Sequence, residues 1–343
     1  MKTVAVLGVV ASLNSLASAQ TYSIQVFNPG IPGISAVPTG LSQNGKVTGY
    51  SVDENSILRA FIWQNGIYQD VGTLGYESAV GQAINNSGQM AVIRYTPGWH
   101  AARWTNGQVK SLGSIDGGNS CPLAINSRGD IVGYAINGDG GRQGFTYING
   151  KFTGLPVDRC SDINDTQVFV GGVGFFWTVG HYMYAVDHPF ISNGASLVDL
   201  GDLGGGTHTE GQAFGINNAG EVTGYSTTAF YAQHAFLWSG GVMQDLGTIG
   251  NFISVGLCVN THSTVMGALC LGNIYNQVGT FVYKNGQMRN LAEFLGPAAS
   301  GWSNLVGAKM NDAGWIVGYG TFNGTQQGFI AKPGLPKAIP TPD

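Results

Sequence analysis

Five titratable side chains near the middle of the chain have types and spacing suited to acid–base chemistry on a polysaccharide. A lyase needs a base and a group that neutralises a uronate, which a histidine and a carboxyl could supply. A glycosidase needs two carboxyls roughly 5–5.5 Å or 6.5–9.5 Å apart, and Asp202 and Glu210 fit only if the glycine-rich segment between them folds favourably. The candidate catalytic residues are His181, Asp187, Asp202, His208 and Glu210.

Aromatic side chains form a second candidate set, suited to binding rather than catalysis. Rings with few charges nearby stack on the apolar faces of sugars or pack in protein interfaces rich in Tyr and Trp. The same rings could also pack on one another as a lid, so three interpretations stay open. The candidate ligand-binding residues are Trp99, Phe176, Trp177, Tyr182, Tyr184, Tyr231 and Trp302.

Histidines and known motifs give no further site. His100, His188 and His234 recur at equivalent places in different repeats, whereas zinc ligands must converge within about 2.0–2.1 Å of the ion. We therefore expect each ring to hold a loop, and we expect no metal site. Nucleophile-elbow, phosphate-loop and dinucleotide motifs are missing from the sequence, so no cofactor is expected.

The chain that carries these residues repeats one phrase seven times. The clearest copy reads INNAGEVTGY, from Ile216 to Tyr225. Counting its first residue as position 0, position +1 is Asn in six copies, with Ser42 the exception, and position +8 is Gly in six. Copies begin 38 to 53 residues apart without helical patterning, which is typical of a propeller. Their first residues are Leu41, Ile84, Ile125, Ile163, Ile216, Val259 and Met310.

Turn chemistry divides each repeat into four strands. A tight turn over Asn217–Gly220 joins the first two, and an Asn-Gly or Gly-Gly pair joins the last two. One four-stranded antiparallel sheet cannot bury both faces alone, so we expect radial packing as propeller blades. The strands predicted for the fifth repeat are approximately Gln212 to Asn217, Glu221 to Tyr225, His234 to Trp238 and Val242 to Leu246.

The two ends of the repeat array predict how the ring closes. The seventh copy lacks the last turn, whereas residues Tyr22 to Asn28 form a strand-like segment before the first hairpin. Pairing that segment beside Gly328 to Lys332 gives an all-β, seven-bladed propeller without exposed edges. An open array with extra caps is the alternative. The propeller domain is predicted over residues 20–334, followed by a proline-rich tail at 335–343.

Composition and the N-terminus restrict location and partners. Of 343 residues only 10% are charged, the net charge is −4, and no basic cluster is present, which excludes nucleic acid as the main partner. Residues 1–19 have the pattern of a secretion signal cut before Gln20. We therefore expect an exported protein with no membrane span. Free or paired cysteines both remain open, with three possible pairings, for Cys121, Cys160, Cys258 and Cys270.

The repeats resemble a known extracellular family. The run HAFLW from His234 and the run DLGTIG from Asp245, after the phrase INNAGEVTGY, look like the repeats named HAF after that tripeptide. The resemblance covers nearly the whole chain after the signal, although Arg59, Gln143 and Gln327 replace the histidine elsewhere. It implies secretion and a propeller-like fold, and it transfers no activity.

These observations favour a secreted binding module over an enzyme. The expected ligand is a glycan or an extracellular partner, met by aromatic loops on one face. A lyase or glycoside hydrolase on that face and a structural protein without a discrete ligand are the alternatives. The places to search are those where the repeat fails, from Gly172 to Asp187 and from Asp202 to Glu210.

Overall fold

The computed structural model describes residues 22–27, 35–179, 182–204 and 209–334, with backbone only for 35, 175–179 and 182–186. The predicted signal at 1–19 and the tail at 335–343 lie outside these residues. Within them the chain is almost entirely strand, apart from the helix α1 (Leu291–Leu295) and a 3₁₀ turn at Gly296–Ala299. No helix in the described ranges is long and apolar enough to cross a membrane.

The strands form seven four-stranded antiparallel sheets, which confirms the seven-bladed propeller. Blades 1 to 3 contain β2 (Ser35–Leu41), β3 (Val47–Val52), β4 (Leu58–Gln64), β5 (Ile67–Gly72); β6 (Ser78–Ile84), β7 (Met90–Thr96), β8 (Gly98–Thr105), β9 (Gln108–Ser111); and β10 (Ser120–Ile125), β11 (Ile131–Ile136), β12 (Arg142–Ile148), β13 (Lys151–Gly154). Blades 4 and 5 contain β14 (Arg159–Ile163), β15 (Phe169–Val179), β16 (Tyr182–Ser192), β17 (Leu197–Asp199); and β18 (Gly211–Ile216), β19 (Val222–Thr227), β20 (Gln233–Ser239), β21 (Val242–Asp245). Blades 6 and 7 contain β22 (Ile253–Val259), β23 (Val265–Cys270), β24 (Gln277–Lys284), β25 (Gln287–Asn290); and β26 (Trp302–Met310), β27 (Ile316–Phe322), β28 (Thr325–Pro333), β1 (Tyr22–Phe27).

The N-terminal strand completes the seventh blade, as predicted. β1 pairs antiparallel with β28, with Tyr22 opposite Pro333 and Phe27 opposite Gly328. The Phe27 ring is buried against blade 1, where its centre lies 5.3 Å from that of Phe61. The two ends of the described chain are therefore joined in one sheet, in which β1 covers the outer edge of β28 and supplies the fourth strand of blade 7.

The repeated glycine at position +8 makes room for a phenylalanine inside each blade. In blade 5 a Cβ on Gly224 would overlap the carbonyl oxygen of Gln212 on the channel strand. Gly224 also stands opposite Phe236, one of the fully buried rings of the core. The same Gly–Phe pair occurs in six blades, and blade 2 has Val92 opposite Ala102 instead. The repeated phrase therefore provides space for the core phenylalanine, through its glycine at position +8, as well as forming a turn.

The repeated asparagine joins one blade to the next at five of the seven seams. Asn217 accepts hydrogen bonds at Oδ1 from the backbone N–H of Ala219 and Glu221, and its Nδ2 donates to the Asn260 carbonyl, 2.9 Å away in blade 6. The turn role was predicted, whereas the bond across the seam was not. The other seams carry bonds from Asn44 to Asn86, Asn85 to Asn126, Asn126 to Asn164, Asn164 to Asn217, Thr261 to Asp312 and Asn311 to Ser42.

Candidate binding site

The two faces of the ring differ in what they can present. Connections from the second to the third strand, and from the fourth strand to the next blade, emerge on one face, here called the loop face. The tight turns emerge on the other, the turn face. The first strand of each blade lines the central channel, and the mouth of that channel on the loop face is here called the axial opening.

A partly buried arginine lies in the axial opening. Arg159 begins the channel strand of blade 4, and its guanidinium reaches both neighbouring blades. Its Cζ is 6.0 Å from the centre of the Tyr134 ring in blade 3 and 5.4 Å from that of Phe214 in blade 5. Both distances are in the range of cation–π contact.

This guanidinium lacks an ionic partner. Its Nε is buried without a hydrogen-bond partner, and no ion pair in the described ranges includes it. Burial, together with the positive charge of Arg142, lowers the pKa of Arg159, although a guanidinium stays protonated at neutral pH. An unpaired charge in such a position is costly, which makes Arg159 a candidate ligand contact.

A second guanidinium approaches from blade 3. The Cζ atom of Arg142 lies 4.9 Å from the centre of the same Tyr134 ring, and its side chain is exposed. Burial and the nearby Cys121 thiol raise the pKa of Tyr134, so its hydroxyl stays protonated and able to donate a hydrogen bond. The opening thus offers two cations on one aromatic ring.

Aromatic rings continue around the opening through blades 5 and 6. Phe214 stacks on Tyr225, with ring centres 6.1 Å apart. Burial and the charge of Glu210 raise the pKa of Tyr225, which remains a neutral phenol. Tyr275, on the loop of blade 6, is 85% exposed and lies near both Arg159 and Tyr225. The rim is therefore apolar and aromatic beside the guanidinium groups.

Two carboxyls meet at the edge of the opening in blade 4. Asp158 and Asp187 share a hydrogen bond beside Gly174, which stands opposite Asp187 in the hairpin. Burial, the hydrogen bond to Asp187 and its charge raise the pKa of Asp158 to about 6, with Arg142 acting in the opposite direction. Below that pH the two carboxyls share one proton.

An ion pair spans the channel toward its other end. Lys309 of blade 7 lies 3.5 Å from Asp162 of blade 4, and these blades face one another across the axis. Burial lowers the pKa of Lys309, but the charge of Asp162 more than reverses this, so the pKa is raised. The pair lines a cavity of about 150 Å³ that opens on the turn face and is lined by all seven blades.

The structure assembles the predicted catalytic residues only in part. Asp187 pairs with Asp158, which the sequence analysis did not single out. Asp202 accepts at Oδ1 from the backbone N–H of Gly204, 2.5 Å away, whereas Glu210 accepts from Gln233 Nε2 at 3.2 Å. Asp202 and Glu210 thus bind different partners, with no hydrogen bond between them. His181 and His208 lie outside the described residues.

The predicted aromatic residues fall into three environments. Tyr231 is 70% exposed on the loop of blade 5. Trp99 is half-buried, with an unbonded indole nitrogen, and Trp302 packs against Phe322 with ring centres 4.9 Å apart. The segment from Gly172 to Asp187, where the repeat fails, belongs to a hairpin in which β15 and β16 pair up to Val179 and Tyr182. Only its backbone is described at Phe176, Trp177, Tyr182 and Tyr184.

Two of the three repeated histidines, His188 and His234, contact an aspartate of the outer strand rather than a loop. His188 Nδ1 lies 2.9 Å from Asp199, and His234 Nδ1 lies 3.0 Å from Asp245, each on the neighbouring outer strand. In blade 1 the same place holds Arg59, which pairs with Asp70 at 2.7 Å. No group of His, Cys, Asp or Glu in the described part of the chain could hold a metal ion.

The cysteines are four separate buried thiols. None forms a disulfide. Burial raises the pKa of Cys121 and Cys270 to about 11 and that of Cys160 to about 12. Such thiols are protonated and unreactive at neutral pH, so they pack as small apolar side chains.

Comparison of equivalent positions could have found Arg159 in the sequence. It stands four residues before the phrase, where five other repeats have Val or Cys, and Gly172 stands opposite it where four repeats have Tyr. In blade 4, therefore, the cation Arg159 takes the place of an apolar residue, and Gly172 takes the place of a tyrosine. Arg142 and Asp158 gave no comparable signal, since charged residues are common where loops enter strands.

Comparison with known proteins supports the fold and nothing finer. No family model matches the chain, and no curated protein matches its sequence. The β-propeller domain of the trilobed protease from Pyrococcus furiosus matches with a TM-score of 0.52 at 13% identity, over 74% of this chain and 82% of that one. YCF48 bound to D1 peptide matches with a TM-score of 0.53 at 10% identity, over 93% and 97%. A prolyl endopeptidase matches with a TM-score of 0.51 at 11% identity over 92% of this chain, which spans only 51% of the enzyme. The chain is thus similar in fold to propeller domains of peptidases and to a peptide-bound propeller.

Proposed function

We propose that the protein is an extracellular binding module that recognises a glycan on its loop face. One observation carries this proposal. Among the described residues, the large aromatic side chains that are most exposed are Phe230 at 91%, Tyr275 at 85% and Tyr231 at 70%, and all three lie on loop-face connections of blades 5 and 6. Exposed rings on adjacent blades are suited to stacking on sugar faces.

Secretion and family membership belong to the same proposal. Residues 1–19 have the pattern of a cleaved export signal, and the repeats resemble the extracellular HAF family. Protein recovered from the culture medium should begin at Gln20 by N-terminal sequencing. Retention in the cell with Met1 intact would contradict the extracellular role.

A glycan array tests the binding function directly. We expect retention of at least one glycan by the wild type and at least about tenfold weaker retention when Phe230, Tyr231 and Tyr275 are all changed to Ala. Val242→Ala is the matched control, because Val242 is 69% exposed on an outer strand away from the loops. Absence of any retained glycan contradicts the function, and an undiminished triple variant contradicts the site.

A polysaccharide lyase is the second candidate, favoured only by the Asp158–Asp187 pair. A carboxyl with a pKa of about 6 can hold a proton near neutral pH, and Arg142 and Arg159 supply positive charge. The pair does not fit a glycosidase, because hydrogen-bonded carboxyls are closer than the 5 Å or more that roughly marks such sites. Incubating each retained glycan with the protein should leave it intact; a new unsaturated chain end, lost in Asp158→Asn, would establish the lyase.

A further inference from the structure

We propose that Arg159, together with Arg142, binds the carboxylate of an acidic sugar unit in the axial opening. This inference rests on the proposed function and adds the chemical class of the ligand. The exposed rings of blades 5 and 6 do not distinguish neutral from charged sugars. The guanidinium groups provide that distinction.

Arg159 carries a charge that no ion pair among the described residues compensates. Its Nε is buried and unbonded, and its guanidinium lies between the rings of Tyr134 and Phe214. The groups that act most strongly on it are Arg142 and the neutral side chains Tyr134, Cys121 and Tyr275. A carboxylate that accepted two N–H bonds from this fork would compensate the charge that the fold leaves unpaired.

The guanidinium lies over two aromatic rings, with its Cζ 6.0 Å from the Tyr134 centre and 5.4 Å from the Phe214 centre. A guanidinium in contact with ring faces can still donate in its own plane to a planar acceptor. Tyr275 adds an exposed ring at the rim, and a pyranose carries its carboxylate on the ring that would stack there. A uronate therefore fits both parts of the site at once.

The acidic groups nearby bind partners other than Arg159. Asp158 and Asp187 bind one another beside Gly174, and Glu210 is bonded to Gln233. Asp158 interacts with Arg142, so Arg142 is partly compensated, whereas Arg159 is not. The charge available to a ligand is thus concentrated on Arg159, with Arg142 as a second, exposed contact.

The test compares acidic oligosaccharides with their own methyl esters. A panel of oligouronates, each paired with its fully methyl-esterified form, is titrated into the full chain by calorimetry. Esterification removes the charge and keeps the ring. We expect at least one acid to bind at least about tenfold more tightly than its ester, and this preference to shrink as salt is raised.

Two variants assign the preference to the site. Arg159→Gln should abolish the preference for the acid, and Arg159→Lys should retain only part of it because an ammonium lacks the fork. Arg103→Gln is the matched control. Arg103→Gln removes the same charge and a similar ring contact, because the Arg103 Cζ lies 5.7 Å from the centre of the Tyr147 ring. Arg103 is at the turn face, where its Nη1 donates a hydrogen bond to the Gly129 carbonyl.

The outcomes separate this inference from the function on which it rests. If the array retains glycans but acids and esters bind equally, the carboxylate site is wrong and the binding function stands. The same holds if Arg159→Gln keeps the full preference for the acid. If no glycan of any charge is retained, both proposals are wrong. Loss of the preference in Arg159→Gln but not in Arg103→Gln supports the site.

Discussion

Asp158 and Arg159 are adjacent in the chain and bring opposite charges to the same opening, yet they do not pair. The Asp158 carboxyl is hydrogen-bonded to Asp187, and the Arg159 guanidinium lies against Tyr134 and Phe214. Asp158 therefore keeps its proton to a higher pH than an ordinary carboxyl does, and Arg159 carries a charge that its neighbours do not compensate. Both properties have measurable effects on the stability of the fold.

The Asp158 carboxyl makes stability depend on pH. Because the pKa of Asp158 is raised to about 6 in the folded protein, the folded state holds a proton that the unfolded chain releases above about pH 4. This contribution is complete below about pH 4 and is lost as the pH rises through about 6. We expect Asp158→Asn to flatten the fall in Tm between about pH 4.5 and about pH 7.5, measured by scanning calorimetry. Asp139→Asn, an exposed carboxyl on the same face, is the control; equal slopes in Asp158→Asn and wild type would refute the assignment.

The unpaired Arg159 should reduce stability in the absence of ligand. Removing an unpaired, partly buried charge relieves its desolvation cost, so Arg159→Gln should unfold at a Tm at least equal to that of the wild type. Arg103→Gln should instead lose about 1 kcal/mol, because it breaks the 2.8 Å bond to the Gly129 carbonyl. Chemical denaturation of the two variants checks the comparison. A larger loss in Arg159→Gln than in Arg103→Gln would show that the fold compensates this charge after all.

At the scale of the element, six of the seven blades place one glycine directly opposite one phenylalanine on the neighbouring strand. Gly224 stands opposite Phe236 and has the Gln212 carbonyl directly behind it. The outer strand is then held by the pair His234–Asp245, whose carboxylate also accepts from the Gly247 backbone N–H at 2.7 Å. In the HAF tripeptide, the histidine therefore bonds the outer strand and the phenylalanine packs in the core of the blade.

Adding one methyl group at position +8 should be far more costly than adding it in the turn. Gly224→Ala forces Cβ into the Gln212 carbonyl, and we expect a loss of about 2–3 kcal/mol from overpacking. Gly220→Ala places Cβ in open space. Its cost is about 1 kcal/mol, because an alanine at a φ of 84° has a strained backbone. Urea unfolding of both variants measures the difference. A loss in Gly224→Ala no larger than that in Gly220→Ala would contradict the packing argument.

The elements were predictable because their signals are local, whereas the site was not. Asn-Gly turns, the glycine at +8 and rings two residues apart each act within one blade, so the sequence predicts four strands per repeat. The contacts of Arg159 with Tyr134 and Phe214 cross two seams, and no local pattern encodes them. The segment from Gly172 to Asp187 is predicted as part of a connection because the repeat fails there; in the structure β15 and β16 extend through it as a hairpin.

At the scale of the molecule, the ring depends on one strand that returns from the other end of the chain. β1 joins blade 7, and Phe27 extends the core into blade 1 beside Phe61 and Trp63. The turn face adds hydrogen bonds at all seven seams, including Asn311 to Ser42 across the closing seam. Two sets of contacts therefore close the ring: β1 pairs with β28, and Asn311 in a turn of blade 7 bonds Ser42 of blade 1.

Truncating Phe27 should weaken the whole ring rather than one blade. The side chain is 2% exposed and stacks on Phe61, so Phe27→Ala should cost about 3–5 kcal/mol. Val26→Ala, next to it and 37% exposed, should cost about 0.5 kcal/mol or less. Denaturant unfolding followed by fluorescence and circular dichroism measures both. Equal losses in the two variants would show that the N-terminal strand contributes little to closure.

The ion pair between Lys309 and Asp162 determines how a polymer could approach this ring. It joins opposite walls of the channel at 3.5 Å, so a chain entering at the loop face meets a barrier before the turn face. A long polysaccharide therefore cannot pass through the channel from one face of the ring to the other. A glycan that binds as proposed would therefore reach Arg159 from the loop face, and the turn face would offer it no second entrance.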